Sequence, residues 1–329
     1  MVKEKMQHRL INIFLNIIER VYKKNLTYHD RPKYLNKINT KAPYETSFNH
    51  KEKIAIVMQG PIILEENLTL ETVKFYKHIF PENQLILSTW KNEEMKSVEA
   101  LKNLDIEVVL NEKPSFAGIA NINYQIVSTS SGIKKAKEMG YNYVLKTRTD
   151  QRIHASTAID FCYSAIKSFP LEAKKTLQKE RIIAFNLNTF MYRPFSVSDM
   201  INFGNIEDMV KYWCLELDSR SIDDLPSPSS LIEWSKQRLA EVYFLTSFLE
   251  NINQDFEWTL ENSWKIISEH FCILDTYDLD LYWKKYSKKE FRHINYIHSQ
   301  KKQIDFSDWL IFKNNFPSKV PEDLIRLNF

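Results

Sequence analysis

The chain opens on a helical spacing of apolar residues. Leu10, Ile13, Phe14, Ile17, Ile18 and Val21 fall on one broad face, and Asn12, Asn16, Glu19 and Lys23 form a narrow polar stripe. Residues 25–50 are polar, rich in Asn, Lys and Tyr, and broken by Pro32 and Pro43, which reads as a connector. Beyond it, short apolar runs alternate with amphipathic stretches. The runs predict strands at Lys53–Met58, Leu85–Ser88, Ile106–Leu110, Tyr143–Thr147 and Arg181–Phe185. Helical spacing predicts helices over about 69–79, 93–103, 121–139 and 156–168. Such alternation implies an α/β fold, a mostly parallel sheet with helices on both faces. The last 120 residues or so read as mainly helical, with a break at Pro226–Ser230 and a helix near 236–251. The expected organisation is an amphipathic helix and connector over 1–50, an α/β ligand-binding domain over 51–215, and a helical region over 216–329.

Composition narrows the function classes. The 329 residues are 43% hydrophobic and 26% charged, ordinary for a soluble globular chain, and the net charge of +3 gives no field that points to nucleic acid. Cys162, Cys214 and Cys272 are isolated and lack zinc spacing, so a reduced, cytosolic compartment is expected. The histidines show neither HxxxH nor HExxH spacing, and no GxSxG, GxGxxG or GxxxxGK[ST] occurs. Zinc hydrolysis, acyl transfer, a dinucleotide fold and a P-loop are therefore disfavoured. No run of about 20 apolar residues is present to span a bilayer. Lys3, Lys5, Arg9, Arg20, Lys23 and Lys24 make the ends of the first helix basic. Residues 1–25 then either lie on an anionic membrane surface, at the inner face of the cytoplasmic membrane, or pack on their own domain.

Ligands of open parallel sheets bind beyond the carboxyl ends of the strands. That rule nominates Gln59-Gly60-Pro61, Thr89-Trp90-Lys91, Asn111-Glu112-Lys113 and Arg148-Thr149-Asp150 as the rim of one site. The fourth segment carries the most information. An apolar strand from Tyr141 runs into Lys146, Arg148, Asp150 and Arg152, and alternation places these even positions on one face while the strand stays regular. Three cations beside one carboxylate is unfavourable unless an anion, a metal or an internal salt-bridge network accompanies them. A diphosphate would supply the anion, and Asp150 would hold a divalent cation, Mn or Mg, or a sugar hydroxyl.

Several ordered segments resemble the WavE lipopolysaccharide-synthesis family. They are Ile54-Ala-Ile-Val-Met-Gln-Gly-Pro-Ile62, Ser88-Thr-Trp-Lys91, Leu145-Lys-Thr-Arg-Thr-Asp-Gln-Arg152 and Tyr192-Arg-Pro-Phe-Ser-Val-Ser-Asp-Met200, followed by Phe203-Gly204 and Glu207-Asp208-Met209. The resemblance covers roughly residues 50–250. It implies a GT-A-like glycosyltransferase fold and transfer of a sugar from a nucleotide-sugar donor to a lipopolysaccharide core or other surface-polysaccharide acceptor. Many GT-A enzymes end the equivalent strand in Asp-x-Asp, whereas this chain has Arg148-Thr149-Asp150. A guanidinium in place of a carboxylate puts metal dependence in doubt and suits Arg148 to neutralising phosphate itself.

Each candidate carries a plainer alternative. Gly60 lets backbone approach a ligand and Gln59 suits a base edge or ribose, or else Gln59-Gly60-Pro61 is a strand-ending turn. Trp90 stacks on a nucleobase with Lys91 near phosphate, with Thr89 beside them, or belongs to the core. Asn121, Asn123 and Gln125 open a helix suited to anions, or cap it. Lys146, Arg148 and Arg152 are the expected phosphate-neutralising cations. Arg193 and Ser198 are expected on the acceptor side, with Asp199 as the base that deprotonates the attacking hydroxyl, or as a helix N-cap. Glu241 is the second candidate base, or a solvated helix residue. Two rivals remain, a sugar nucleotidyltransferase and a non-catalytic, membrane-attached glycan-binding or assembly protein.

Overall fold

A computed structural model describes residues 52–284 other than Lys174, residues 302–314, and Leu10, Ile13, Phe14 and Ile17. Its strands are β1 (Ile54–Gln59), β2 (Gln84–Trp90), β3 (Glu107–Asn111), β4 (Tyr143–Arg148), β5 (Gln151–Ile153), β6 (Ile182–Phe185), β7 (Asn202–Asn205), β8 (Phe271–Leu274) and β9 (Leu281–Trp283). The helices are α1 (Leu68–Ile79), α2 (Met95–Lys102), α3 (Ile122–Glu138), α4 (Ala158–Ser168), α5 (Ile206–Trp213), α6 (Leu231–Arg238), α7 (Ala240–Asn251), α8 (Leu260–His270) and α9 (Phe306–Asn314). Seven strands form one sheet in the order β3-β2-β1-β4-β7-β6-β8. β3, β2, β1 and β4 run parallel, β7 is antiparallel to both its neighbours, and β8 is parallel to β6. The expected α/β class, a mostly parallel sheet flanked by helices, is what the chain adopts.

The sheet's central strands are apolar because both faces are covered. Every residue of β1 is buried, and so is β4 up to Arg148. Each buried aliphatic side chain there contributes about 1.5–3 kcal/mol. α3 lies directly on β1 and β2, and Gly132 makes that approach possible. A Cβ at Gly132 would stand 2.5 Å from Val57 Cγ1 and 3.1 Å from Ser88 Cβ.

Three expectations change. The stretch read as mainly helical also supplies β8, an edge strand of the main sheet, and β9, which pairs antiparallel with β5. The sheet therefore extends past residue 215, the boundary expected from the sequence. The helix expected near 236–251 is two helices, broken where Leu239 is extended (φ −108°, ψ 123°). Glu241 consequently lies in the first turn of α7 rather than inside a long helix. β7 (Asn202–Asn205) has no apolar run to announce it, yet it is an inner strand of the sheet, between β4 and β6. At the N-terminus, Leu10, Ile13, Phe14 and Ile17 are helical and more than half exposed. The other positions of residues 1–25 and the connector up to residue 51 lie outside the described residues.

Candidate active site

The carboxyl ends of β1, β2 and β4 are tied to one another by backbone. Gly60 N–H donates to Ser88 O (3.1 Å) and Thr149 N–H to Gln59 O (3.1 Å). Gly60 adopts φ +120°, and a Cβ there would meet Thr149 Oγ1 at 2.9 Å, so the turn needs glycine. Beyond these ends opens a cavity of about 640 Å3, within the range that holds a nucleotide-sized ligand. Its near wall is Gln59, Gly60 and Pro61 at the end of β1, Trp90 and Glu93 at the end of β2, Lys113, the start of α3 with Tyr124 and Gln125, and Arg148 and Asp150 at the end of β4. Its far wall is Asn188, Asp199, Met200, Ala240 and Glu241, and Trp283 of β9 closes one side.

At the end of β4 an ion pair is built into the wall. Arg148 donates through Nε to Asp150 Oδ1 (2.8 Å) and through Nη2 to Oδ2 (3.0 Å). Trp283 Nε1–H adds a third donor to Oδ2 at 3.0 Å, and its ring lies 5.8 Å from the guanidinium. Burial alone would raise the Asp150 carboxyl, but the Arg148 and Trp283 contacts outweigh it and hold the group below the usual carboxylate range. The donor set for a divalent cation does not fit. The only carboxylate expected to ligate one is engaged by two side chains, and no three His, Cys, Asp or Glu residues converge among the described residues. Asp150, the residue expected to hold Mn or Mg, is bound here by Arg148 and Trp283.

Not all predicted residues meet at the cavity. Gln59, Gly60, Pro61, Trp90, Gln125, Arg148, Asp150, Asp199 and Glu241 line it. Gln59 is itself buried, and its Oε1 accepts from Ser128 Oγ (2.8 Å). Trp90 is 5% exposed and packs edge-on to Tyr124, so it joins core and wall. Gln125 Oε1 is buried at the wall without a hydrogen-bond partner. Thr89 instead donates to Glu93 (2.8 Å), and Lys91 pairs on the surface with Glu112 (2.7 Å). Asn123 is turned away to hold the backbone of Asp218.

The single face expected for Lys146, Arg148, Asp150 and Arg152 breaks up, because β4 ends at Arg148 and the chain turns before β5. Lys146 is fully buried beneath the far wall, where it donates to the carbonyls of Asp199 and Met200. Arg152 reaches back to α1, donating to Thr72 Oγ1 (3.0 Å), with its guanidinium over Phe75. Neither lines the cavity, so two of the three expected phosphate-neutralising cations are reassigned. Arg193 sits between the rings of Phe190 and Trp234, behind the wall, where burial lowers its pKa and the charge of Glu241 opposes that. Ser198 is buried, its N–H bound to Thr189 Oγ1. The N-cap alternative for Asp199 is removed, since the extended strand β7 and not a helix follows it.

Some wall residues had no motif to reveal them. Lys113 was nominated only as part of a rim segment, and its Nζ lies 4.6 Å over the Tyr124 ring. Glu93 accepts from Ile62 N–H (3.1 Å) as well as from Thr89, bridging the loops after β1 and β2. Asn188 takes a left-handed conformation (φ 68°), the one signal that favours Asn there. Trp283 comes from the region read as helical. Among the described residues no helix is long and apolar enough to cross a membrane.

No curated protein matches the chain. Solved structures similar in arrangement include a glycosyltransferase involved in glycosylation of the major capsid of PBCV-1, at 14% identity over 53% of this chain and 70% of that one, TM-score 0.29. TarS 1-349 of S. aureus in complex with UDP is 12% identical over 66% of this chain and 64% of that one, TM-score 0.35. A 4-diphosphocytidyl-2C-methyl-D-erythritol synthase from Anaerococcus prevotii is 12% identical over 60% of this chain and 99% of that one, TM-score 0.34. Scores this low do not choose among such enzymes, and sequence does the deciding. The sequence model for WavE lipopolysaccharide synthesis matches residues 54–242, more than half of the chain and most of both walls, and the chain belongs to that family.

Proposed function

We propose that the protein is a glycosyltransferase that moves a sugar from a nucleotide-sugar donor to a lipopolysaccharide-core or other surface-polysaccharide acceptor. The observation that carries this reading is the company one cavity keeps: a guanidinium fixed in place, Arg148 braced by Asp150, and two further carboxylates, Asp199 and Glu241, from other elements of the chain. A transferase needs both kinds of group. The donor's diphosphate must leave with its charge stabilised, and the acceptor hydroxyl must lose a proton. Arg148, held by Asp150, meets the diphosphate as a guanidinium, and α3 turns the positive end of its dipole toward the same place. Tyr124 and Trp90 offer apolar surface to the nucleoside. Asp199 accepts the proton of the attacking hydroxyl. No step is routed through a metal.

Thermal stabilisation against a panel of nucleotides tests the reading, since a ligand that binds only the folded chain adds about 2.7 kcal/mol at a hundredfold excess over Kd. A nucleoside diphosphate should raise Tm, and Arg148→Ala should cut the rise to about half or less at the same nucleotide concentration. A larger rise with a nucleoside triphosphate, with pyrophosphate released, would replace the reading by nucleotidyl transfer. No rise with any nucleotide would replace it by glycan binding without catalysis.

The proposal includes peripheral attachment to an anionic membrane through residues 1–25, where the exposed Leu10, Ile13, Phe14 and Ile17 are flanked by six Lys and Arg. Deleting residues 1–25 should abolish sedimentation with anionic vesicles. Equal sedimentation of the truncated and full chains would remove that part.

A further inference from the structure

We infer that Lys146 is a positioning residue: its buried ammonium holds the backbone carbonyls of Asp199 and Met200 from behind and so fixes where the Asp199 carboxylate stands. The role assigned to that carboxylate rests on the transferase reading, whereas the tether itself does not.

Lys146 belongs to β4 and has no exposed surface. Its Nζ donates to Asp199 O and to Met200 O (3.2 Å) and lies 4.5 Å over the indole of Trp213. A buried ammonium is unfavourable by several kcal/mol unless its donors are used, and here two carbonyls and an aromatic face use them. A leucine or methionine would fill the same volume without that cost. What the lysine adds is a grip on a turn that no ladder holds, because β7 begins only at Asn202. Both residues of the gripped pair, Asp199 and Met200, line the cavity. The surroundings are polar as well as closed. Asn202 stands opposite Lys146 in the β4–β7 register, and its Oδ1 is buried without a partner.

The charged and titratable groups facing Lys146 are few. Arg148 and Asp150 follow it on the chain, and Asp199 comes from the turn. Burial pushes Lys146 itself down to about 7 against the opposing pull of Asp199. The tether therefore changes charge in the neutral range, being fully charged below it.

Lys146→Met in the full chain separates the possibilities. Hydrogen exchange of the 199–201 amides, which needs no substrate, should rise at least tenfold, with exchange in β1 and β2 unchanged. The Kd for a nucleoside diphosphate should stay within twofold while kcat falls tenfold or more, and the ionisation of wild-type kcat near pH 7 should vanish. Unchanged exchange in the turn would overturn the tether. A Kd weakened in parallel with kcat would also overturn the inference, placing Lys146 at the donor as the sequence pattern suggested. If the wild type binds no nucleotide, the transferase reading fails while exchange still decides the tether. If Lys146→Met does not fold, NMR of the wild-type lysine ammonium groups serves instead. One ammonium with protons protected from water and cross-peaks to residues 199 and 200 supports the buried tether, and every ammonium in fast exchange with water overturns it.

Discussion

The two walls of the cavity are held in different ways. The near wall is made of strand ends knitted by backbone hydrogen bonds, and its Arg148–Asp150 ion pair is two-pronged and braced by the indole N–H of Trp283. The far wall is a turn before β7, held from behind by the buried Lys146, and the first turn of α7, where Glu241 feels the charge of the half-buried Arg193. A rigid wall suits the group that must be bound and discharged, since pre-set dipoles need no reorganisation as charge develops. The other wall offers carboxylates whose placement depends on a few side-chain contacts. The comparison implies that damage to the near wall is read in affinity and damage to the far wall in turnover.

The largest effect should therefore come from the far wall. Asp199→Asn removes the proposed base, and general-base catalysis is typically worth about 100- to 10,000-fold, so kcat should fall within that range with nucleotide Kd unchanged. Glu241→Gln should cost less than about tenfold, because its charge acts beside Arg193 rather than on the acceptor. Rates measured side by side decide: the reverse order would make Glu241 the base and Asp199 its neighbour.

A second effect sharpens the other side. Arg148→Ala deletes charge-assisted hydrogen bonds worth about 1.5–3 kcal/mol, so nucleoside diphosphate Kd should weaken roughly ten- to a hundredfold. A chelator should leave wild-type affinity where it is. If affinity is lost on chelation and returns with manganese, Asp150 ligates a metal when donor binds and the ion pair seen here opens.

This asymmetry also governs what the sequence reveals. The near wall follows from apolar runs, because strands covered on both faces must be apolar and their carboxyl ends must form the rim. Gln59, Trp90, Arg148 and Asp150 were legible on that ground alone. The far wall obeys no local period. β7 reads Asn-Phe-Gly-Asn, and Trp283 reaches Asp150 across a separation of 133 residues. Side-chain alternation grouped Lys146 with Arg148 but not their depths. Two positions back from the strand end is enough to put one ammonium under the turn while the guanidinium meets the cavity. The Arg152 side chain lies beyond the end of β4, where alternation no longer applies.

The smallest predicted effect tests whether the near wall acts as one unit. Trp283→Phe keeps an aromatic ring but deletes the Nε1–H donor to Asp150, a bond worth about 1.5–3 kcal/mol when the acceptor is charged and less where Arg148 remains to share it. Nucleotide Kd should weaken only a few-fold at pH 7. The pH dependence says more. The Asp150 carboxyl is held below its usual range in the folded chain, so its ion pair with Arg148 persists as pH falls and is lost only when pH drops through that lowered value. Removing the indole donor raises the carboxyl, and the acid-side loss of nucleotide affinity should move to higher pH in Trp283→Phe than in the wild type. If the acid limb does not move while Kd weakens, Trp283 acts by packing against the ligand, and the near wall depends on Arg148 and Asp150 alone.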